Sequence, residues 1–444
     1  YMIEIKYVDF CAGIGGFRYA IDAYQNSRTD IKFKCVLTAD IKKHAIDTYN
    51  LNFNENNPLR DIYELNPETM ETFDLLCAGF PCQPFSSAGQ KKGFEDHRGG
   101  MIFKILDICK FHKPQYVLLE NVHNLISLDD GKYIRSIYDL FSELGYNVEY
   151  TMLNSKNYGI PQSRERVYII CTLNKKIDIS PLNDLVSSPQ LKNFLDYTDT
   201  TSDLNKVFVD KLLKLHEKQS IEGCKIGDKR GGEKNIHSWD LGLNGEITGD
   251  ERKLMTSIML ERRKKHWAKK KNITWMDGMP LTFPEIQSFF KHDELQSLLD
   301  SLTEKKYLRL EQCKELVNGK RIYIKDLMSA IKSDQTDELV RAKALIESDT
   351  AIPGYNICKG KLSFPVSKIL DSNDICPTLT ATDSNRLAVV IGGTVVRKLN
   401  HLELKRVCGF PETLKLPNDV NVYDLFGNMA TPPVLYKLIE LMFD

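Results

Sequence analysis

Cys82 stands between two prolines in GFPCQPFSSAG, residues 79–89, at the end of an apolar run. A thiol serves as a nucleophile when its thiolate is accessible and its geometry held, and Pro81 and Pro84 each restrict the local backbone. The polar, glycine-punctuated SSAGQKKGFEDHRGG that follows has the composition of a loop able to close over a substrate. A structural cysteine in a proline-rich turn is the plainer alternative. Glu120 closes another apolar run in LLENV, residues 118–122. Among apolar neighbours its protonated form is favoured, so it can donate to, or protonate, a ring nitrogen; the alternative is a helix cap or solvated turn. Gln162, Arg164 and Arg166 alternate in YGIPQSRERVYII, residues 158–170. Period two directs all three to one face, where two guanidiniums hold a carbonyl, a carboxylate or a phosphate unless surface acids pair with them.

A second group of residues suits a nucleoside. In VDFCAGIGGF, residues 8–17, Gly13, Gly15 and Gly16 let the backbone turn sharply and approach a ligand. A dinucleotide fingerprint needs a further glycine where Arg18 stands, so the pattern argues against NAD. Asp40 ends the next apolar run, placed to accept from both ribose hydroxyls, or else to cap the helix beginning near Lys42.

These residues share a position in the pattern of elements. IKYVDF, FKCVLTAD, FDLLCAGF, YVLLENV and RVYIICTL alternate with helically spaced segments such as MIFKILDICKFH and YIRSIYDLFSELG. The order predicts an α/β fold, a doubly wound and mostly parallel sheet covered on both faces. Ligands gather at the carboxyl ends of such strands, which is where the glycine turn, Asp40, Cys82 and Glu120 fall. The 444 residues hold 60 basic and 60 acidic side chains, so any basic surface must be local. No secretion signal and no apolar run near 18 residues is evident, which predicts a cytoplasmic protein without a membrane partner. None of the eleven cysteines forms a Cys-x-x-Cys pair, which argues against a zinc site or disulfide framework.

In order and spacing these motifs resemble the DNA cytosine-5 methyltransferases. DFCAGIGGF, GFPCQPFS, ENV and QSRER resemble the cofactor, nucleophile, glutamate and arginine motifs. VRKLNHLELKRVCGFPETL (396–414) and YDLFGNMATPPVLYKLIELM (423–442) resemble the segments that return to complete the catalytic domain. The apolar stripe Val434, Leu435, Leu438, Ile439 and Met442 suits a last helix packed beside the first. The resemblance implies an S-adenosylmethionine-dependent fold with an inserted target-recognition domain. Residues 1–180 would form the catalytic and cofactor domain, 181–370 the recognition region, and 371–444 the return. It implies Cys82 as nucleophile on C6 of a flipped-out cytosine, Glu120 at N3, and Arg164, supported by Arg166, orienting the base. For the cofactor it implies the Gly13, Gly15 and Gly16 turn, Asp40 on the ribose, Asp61 near the adenine amino group, and Asn428 closing the site. The chain carries Cys11, Asp40, and Met429 with Ala430 where many relatives have an aromatic, a glutamate, and Ser-Val.

The middle region matches no motif. Its run ERRKKHWAKKK sets seven Lys or Arg between 262 and 271, and Arg262, Arg263, Lys264 and Lys265 are candidate phosphate contacts, or else a solvated helix face. RGGEKNIHSW (230–239) offers Arg, His and Trp for groove contacts or stacking, and HDELQSLLDSLTEKKYLRLEQCKELVNGKRIYIKDL (292–327) reads as helix, turn, helix and short strand pair, the order of a winged helix near 285–330. The implied partner is double-stranded DNA, bound by a monomer, with a restriction endonuclease as functional counterpart. A transfer RNA cytosine-5 methyltransferase and a non-catalytic sequence-specific DNA-binding protein are the alternatives. A cytosine deaminase is disfavoured, because PCQPF lacks the second zinc cysteine.

Overall fold

The computed structural model describes residues 2–81, 100–182, 184–227, 232, 234–270, 280–315, 321–323, 351–358, 364–418 and 421–444. The chain forms two compact units, the first comprising Tyr1–Asp199, Asp371–Asn385 and Leu399–Asp444, the second Thr200–Leu370 and Arg386–Lys398.

The first unit begins with β1 (Ile3–Phe10), α1 (Gly16–Asn26), β2 (Ile31–Ala39), α2 (Lys43–Phe53), β3 (Leu75–Gly79), α3 (Met101–His112), β4 (Tyr116–Val122), α4 (Lys132–Glu143), β5 (Asn147–Asn154), β6 (Gln162–Ser163) and β7 (Glu165–Thr172). Its six-stranded sheet has the order β2-β1-β3-β4-β7-β5. β1 to β4 are parallel, and β7 runs antiparallel to both β4 and β5. The apolar run of β7 is continuous because both faces are covered, and such a run carries no information on direction. Alternate side chains feed two cores. Val8, Phe10, Leu76 and Ala78 meet Ile105 of α3 and Ile137 of α4, while Tyr7, Leu75 and Cys77 meet α1 and the last helix.

The second unit contributes α5 (Lys206–His216), β8 (Lys225–Ile226), β9 (Asn235–Ile236), α6 (Gly249–Glu261), α7 (Lys265–Lys270), α8 (Phe283–Phe289), α9 (Leu295–Glu304), β10 (Leu308–Glu315), β11 (Arg321–Tyr323), β12 (Ala351–Ile357) and β13 (Lys368–Ile369). β14 (Cys376–Pro377) belongs to the first unit and pairs with β6, whereas β15 (Leu387–Ile391) and β16 (Val395–Lys398) complete the sheet β16-β15-β13-β8-β9 of the second. The reading of 292–327 is corrected in its second half: α9 is the first helix expected there, but Leu308–Glu315, expected as the second, is the strand β10, paired antiparallel with β12. The groove-contact reading of RGGEKNIHSW is corrected for two of its residues. His237 and Trp239 are buried with their rings stacked 4.2 Å apart, and the backbone N–H of His237 donates to Asp240 at 2.8 Å, so both aromatics serve the interior.

The chain ends with α10 (His401–Cys408), α11 (Val422–Gly427) and α12 (Pro432–Phe443) in the first unit. Prolines at the start of α12 lose no helical hydrogen bond there. Its stripe Val434, Leu435, Leu438, Ile439 and Met442 is fully buried against Phe17, Ala20, Ile21 and Tyr24 of α1, as the spacing predicts. Burial of that kind contributes about 1.5–3 kcal/mol per large side chain, so Leu438→Ala would cost about 2–5 kcal/mol. No helix among the described residues is long and apolar enough to cross a membrane.

Candidate active site

A cavity of about 470 Å3 opens at the carboxyl ends of β1 to β4, lined within the first unit by the glycine turn, Asp40, Asp61, Pro81, Glu120, Arg166 and Asn428 among others. The turn after β1 bends through left-handed backbone at Cys11 (φ 53°), Gly13 (56°) and Gly15 (87°). Gly16 has a different role. A Cβ there would lie 2.3 Å from the Ala430 carbonyl oxygen, so its lack of a side chain lets the returning segment close against the turn. Asp40 Oδ2 accepts from the Gly13 N–H at 2.9 Å and Oδ1 from the Lys42 N–H at 2.8 Å, which fixes the turn and the start of α2 together. Asp61 Oδ1 accepts from the Tyr63 N–H at 3.0 Å. Each carboxylate keeps lone pairs beyond these bonds.

Glu120 lies near the carboxyl end of β4 with 8% exposure, and Arg166 Nε lies 3.0 Å from its Oε1. Burial raises the Glu120 carboxyl above its ordinary range, opposed by the charges of Arg166 and Arg164. The result is a carboxyl that holds its proton more readily than a solvated one, at the edge of a cavity. Asn121, its neighbour, donates to the Phe80 carbonyl at 3.0 Å and so anchors the chain entering the cysteine loop. Cys82 and residues 83–99 lie outside the described residues.

The strand is interrupted at Arg164, and the three alternating residues divide between two tasks. Arg166 reaches Glu120, whereas Arg164, 3% exposed, donates through Nη1 to Leu379 O (3.1 Å) and Gly427 O (3.3 Å) and through Nη2 to Gly427 O (3.3 Å) and Met429 O (2.7 Å). Burial, with Arg166 beside it, brings the Arg164 guanidinium down to about 10. Buried Gln162 donates to Val407 O at 3.1 Å and accepts from the Leu379 N–H at 3.1 Å. Arg164 and Gln162 thus stitch three returning stretches to the sheet. A Cβ on Gly427 would lie 2.2 Å from Ala381 N, a measure of how closely those stretches pack.

Two features were not anticipated from the sequence. Residues 376–384 carry the β14 pairing and the Arg164 and Gln162 contacts, and their only signal is the run CPTLTATDS itself, which follows the polar DSNDI. The Asp424 carboxylate gathers Lys42 Nζ at 3.1 Å, His44 Nε2 at 2.8 Å and Asn428 Nδ2 at 2.9 Å. Although partial burial works against it, hydrogen bonds from His44 and Lys42 hold Asp424 below the ordinary carboxylate range. This bridge joins the start of α2 to α11 at the cavity wall that carries Asn428.

Of the basic run, Arg263, Lys264 and Lys265 are exposed. Arg262 is corrected as a surface contact: it is 3% exposed, and its Nη1 donates to Asn356 Oδ1 at 3.2 Å.

The chain matches the C-5 cytosine-specific DNA methylase family over residues 5–444. It is 38% identical to the type II methyltransferase M.NlaIV of Neisseria lactamica over 449 residues, covering 99% of each chain. With M.BanI of Aneurinibacillus aneurinilyticus identity is 33%, covering 99% of this chain and 96% of the relative. With M.HhaI of Haemophilus parahaemolyticus it is 37% over 231 residues, half of this chain and 67% of the relative. A glycine turn, a buried glutamate whose carboxyl is raised and an arginine around one cavity agree with that match, and the chain belongs to the C-5 cytosine-specific DNA methylase family.

Proposed function

We propose that this enzyme methylates C5 of a flipped-out cytosine in a specific double-stranded DNA sequence, with Cys82 as nucleophile and S-adenosylmethionine as methyl donor. The observation that carries the reading is the buried Glu120 carboxyl, raised toward its protonated form and ion-paired to Arg166 in the same cavity as the glycine turn and Asp40. C5 of the aromatic ring is a weak nucleophile. The Cys82 thiolate adds to C6, Glu120 protonates or hydrogen-bonds N3 as electron density moves there, and C5 becomes enamine-like. Arg166 holds Glu120 in place, and Arg164 supports the site through the returning segment. The bound cofactor supplies an electrophilic methyl group to C5. Loss of the C5 proton to a base and departure of the Cys82 sulfur then restore aromaticity. Neither C6 nor the thiolate's line of approach is open inside a stacked duplex, hence the flipped base.

The residues fit the cofactor. Asp40 and Asp61 present carboxylate oxygens suited to ribose hydroxyls and an adenine amino group, the glycine turn admits the amino-acid end, and Asn428 closes the wall. Arg263, Lys264 and Lys265 suit phosphates, leaving the charge-neutral chain to bind through a local surface. The relatives named as type II methyltransferases favour a protective role beside a cognate restriction endonuclease; we place that role in the cytoplasm, exercised by a monomer on DNA. Bisulfite sequencing of DNA from cells expressing the chain tests this. Protected cytosines in one sequence context are expected, lost in Cys82→Ser; protection confined to transfer RNA would overturn it, and no protection at all would leave only a binding protein.

A further inference from the structure

We infer that the described residues between 248 and 357 of the second unit form a winged helix that meets DNA phosphates through its α6–α7 corner and keeps its helix-turn-helix second helix, α9, off the groove. This rests on the DNA-methylation reading and names the surface that serves it.

The module follows from pairing and packing. α6 opens with a capping box, Thr248 accepting from the Glu251 N–H while Glu251 accepts from Thr248. Leu281 then makes a two-bond antiparallel bridge to Tyr355, with N–O distances of 3.0 and 2.8 Å. α8 and α9 follow, joined by the short turn 290–294, and β10 pairs antiparallel with both β11 and β12. Apart from the short α7 and β11, the order is helix, short strand, helix, turn, helix and a strand pair, β10 and β12, whose far strand pairs back onto the short strand. One core holds it: Leu254 and Ile258 of α6, Leu281, Ile286 of α8, Leu295 and Leu299 of α9, with Tyr355 and Ile357 of β12. Buried Glu251 adds a polar tie, taking Lys305 Nζ at 2.8 Å and Ser301 Oγ at 2.6 Å.

In the ordinary docking of this motif the second helix enters the major groove between two walls of phosphate. Here α9 and its preceding turn expose Asp293, Glu294, Asp300 and Glu304. One carboxylate can accept from cytosine N4, but two on one face of α9, Asp300 and Glu304, with two more in the turn before it, repel the backbone charges on either side. Gln296, the amide suited to adenine, is already committed to Asp300 Oδ1 at 2.8 Å and Tyr355 OH at 3.0 Å. Exposed Lys291 and Lys306 flank α9 singly, whereas three adjacent exposed cations gather elsewhere on the module. At the α6–α7 corner Arg262 turns inward, which leaves Arg263, Lys264 and Lys265 exposed beside one another. Lys264 pairs with Glu261, an exposed i,i+3 contact that a phosphate displaces at little cost.

The test compares Lys264→Ala/Lys265→Ala with Asp300→Asn/Glu304→Gln in the full chain. Binding to a mixed-sequence duplex is measured between about 50 and 200 mM salt, and the methylated context is read by bisulfite sequencing. Each phosphate that the protein no longer neutralises takes about 0.9 from the slope of log affinity against log salt. The lysine pair should therefore flatten it by roughly two, with unchanged melting temperature. The α9 pair should leave slope and methylated context as in wild type. An unchanged slope in the lysine variant, or an altered context in the α9 variant, would overturn the inference. The slope is a binding measurement, so it is separable from failure of the methylation reading, which would show as wild-type chain leaving DNA unmodified.

Discussion

Replacing Arg164 by methionine separates two roles for a buried guanidinium. Methionine keeps most of the side-chain volume but none of the donors, so the Leu379, Gly427 and Met429 carbonyls lose their shared partner. A hydrogen bond from a charged donor contributes about 1.5–3 kcal/mol. Three of the four contacts here are longer than 3 Å, and removing the buried charge itself recovers some desolvation. The net destabilisation should be about 4 kcal/mol, which in a unit of this size lowers the melting temperature by roughly 8–16 °C. Gly427 and Asn428 line the cavity, so loosening their attachment should weaken cofactor capture: KM for S-adenosylmethionine rises about tenfold while kcat falls less than threefold. Arg164→Lys, which keeps the charge but not the fork, should recover part of the stability. Calorimetry and steady-state methyl transfer measure both. An Arg164→Met variant with wild-type melting and KM but a kcat reduced a hundredfold would refute this reasoning and place the guanidinium on the base.

Other predictions follow from the buried acids. Glu120→Gln keeps the shape of the side chain but cannot transfer a proton, so methyl transfer should fall about 100-fold with binding of S-adenosylhomocysteine, read by calorimetry, unchanged. Asp9 is 0% exposed, and neither oxygen finds a hydrogen-bond partner among the described residues. Burial raises it from 3.8 to about 8, against the charge of Arg18 and with help from Asp40 and Glu55. The folded chain then keeps a proton that the unfolded chain releases near pH 4. The Asp9 contribution to stability therefore declines as pH rises from 3.8 to about 8, by at most about 1.4 kcal/mol per unit. Asp9→Asn abolishes that decline, so urea unfolding should find the variant equal to wild type near pH 4 and more stable by up to about 4 kcal/mol near pH 7. A pH-independent difference would contradict the assignment.

Period and punctuation made much of the catalytic unit legible. Continuous apolar runs mark strands covered on both faces, and their ends mark where ligand-binding groups converge, which is where Asp40 and Glu120 lie. The stripe on α12 named its own partner, because a helix with five buried apolar positions must find a face of matching width. Direction and contact were hidden. β7 has the composition of a parallel strand and runs the other way. Gln162 and Arg164 look like their neighbour Arg166, yet their partners are main-chain carbonyl and amide groups more than two hundred residues on, and a carbonyl has no residue type to read. The same blindness applies to Arg262 and Trp239, whose types suit DNA and whose burial comes only from tertiary packing.

The thiol at position 82 is the centre of the account, and its bond to the substrate can be trapped. A duplex of the methylated sequence carrying 5-fluorocytosine at the target position cannot lose fluorine as a cation, so the sulfur cannot depart after methyl transfer. Denaturing electrophoresis with S-adenosylmethionine present should show a stable protein–DNA band for the wild-type chain and none for Cys82→Ser. A band that survives in Cys82→Ser, or none in a wild-type chain that methylates the unmodified duplex, would contradict the mechanism.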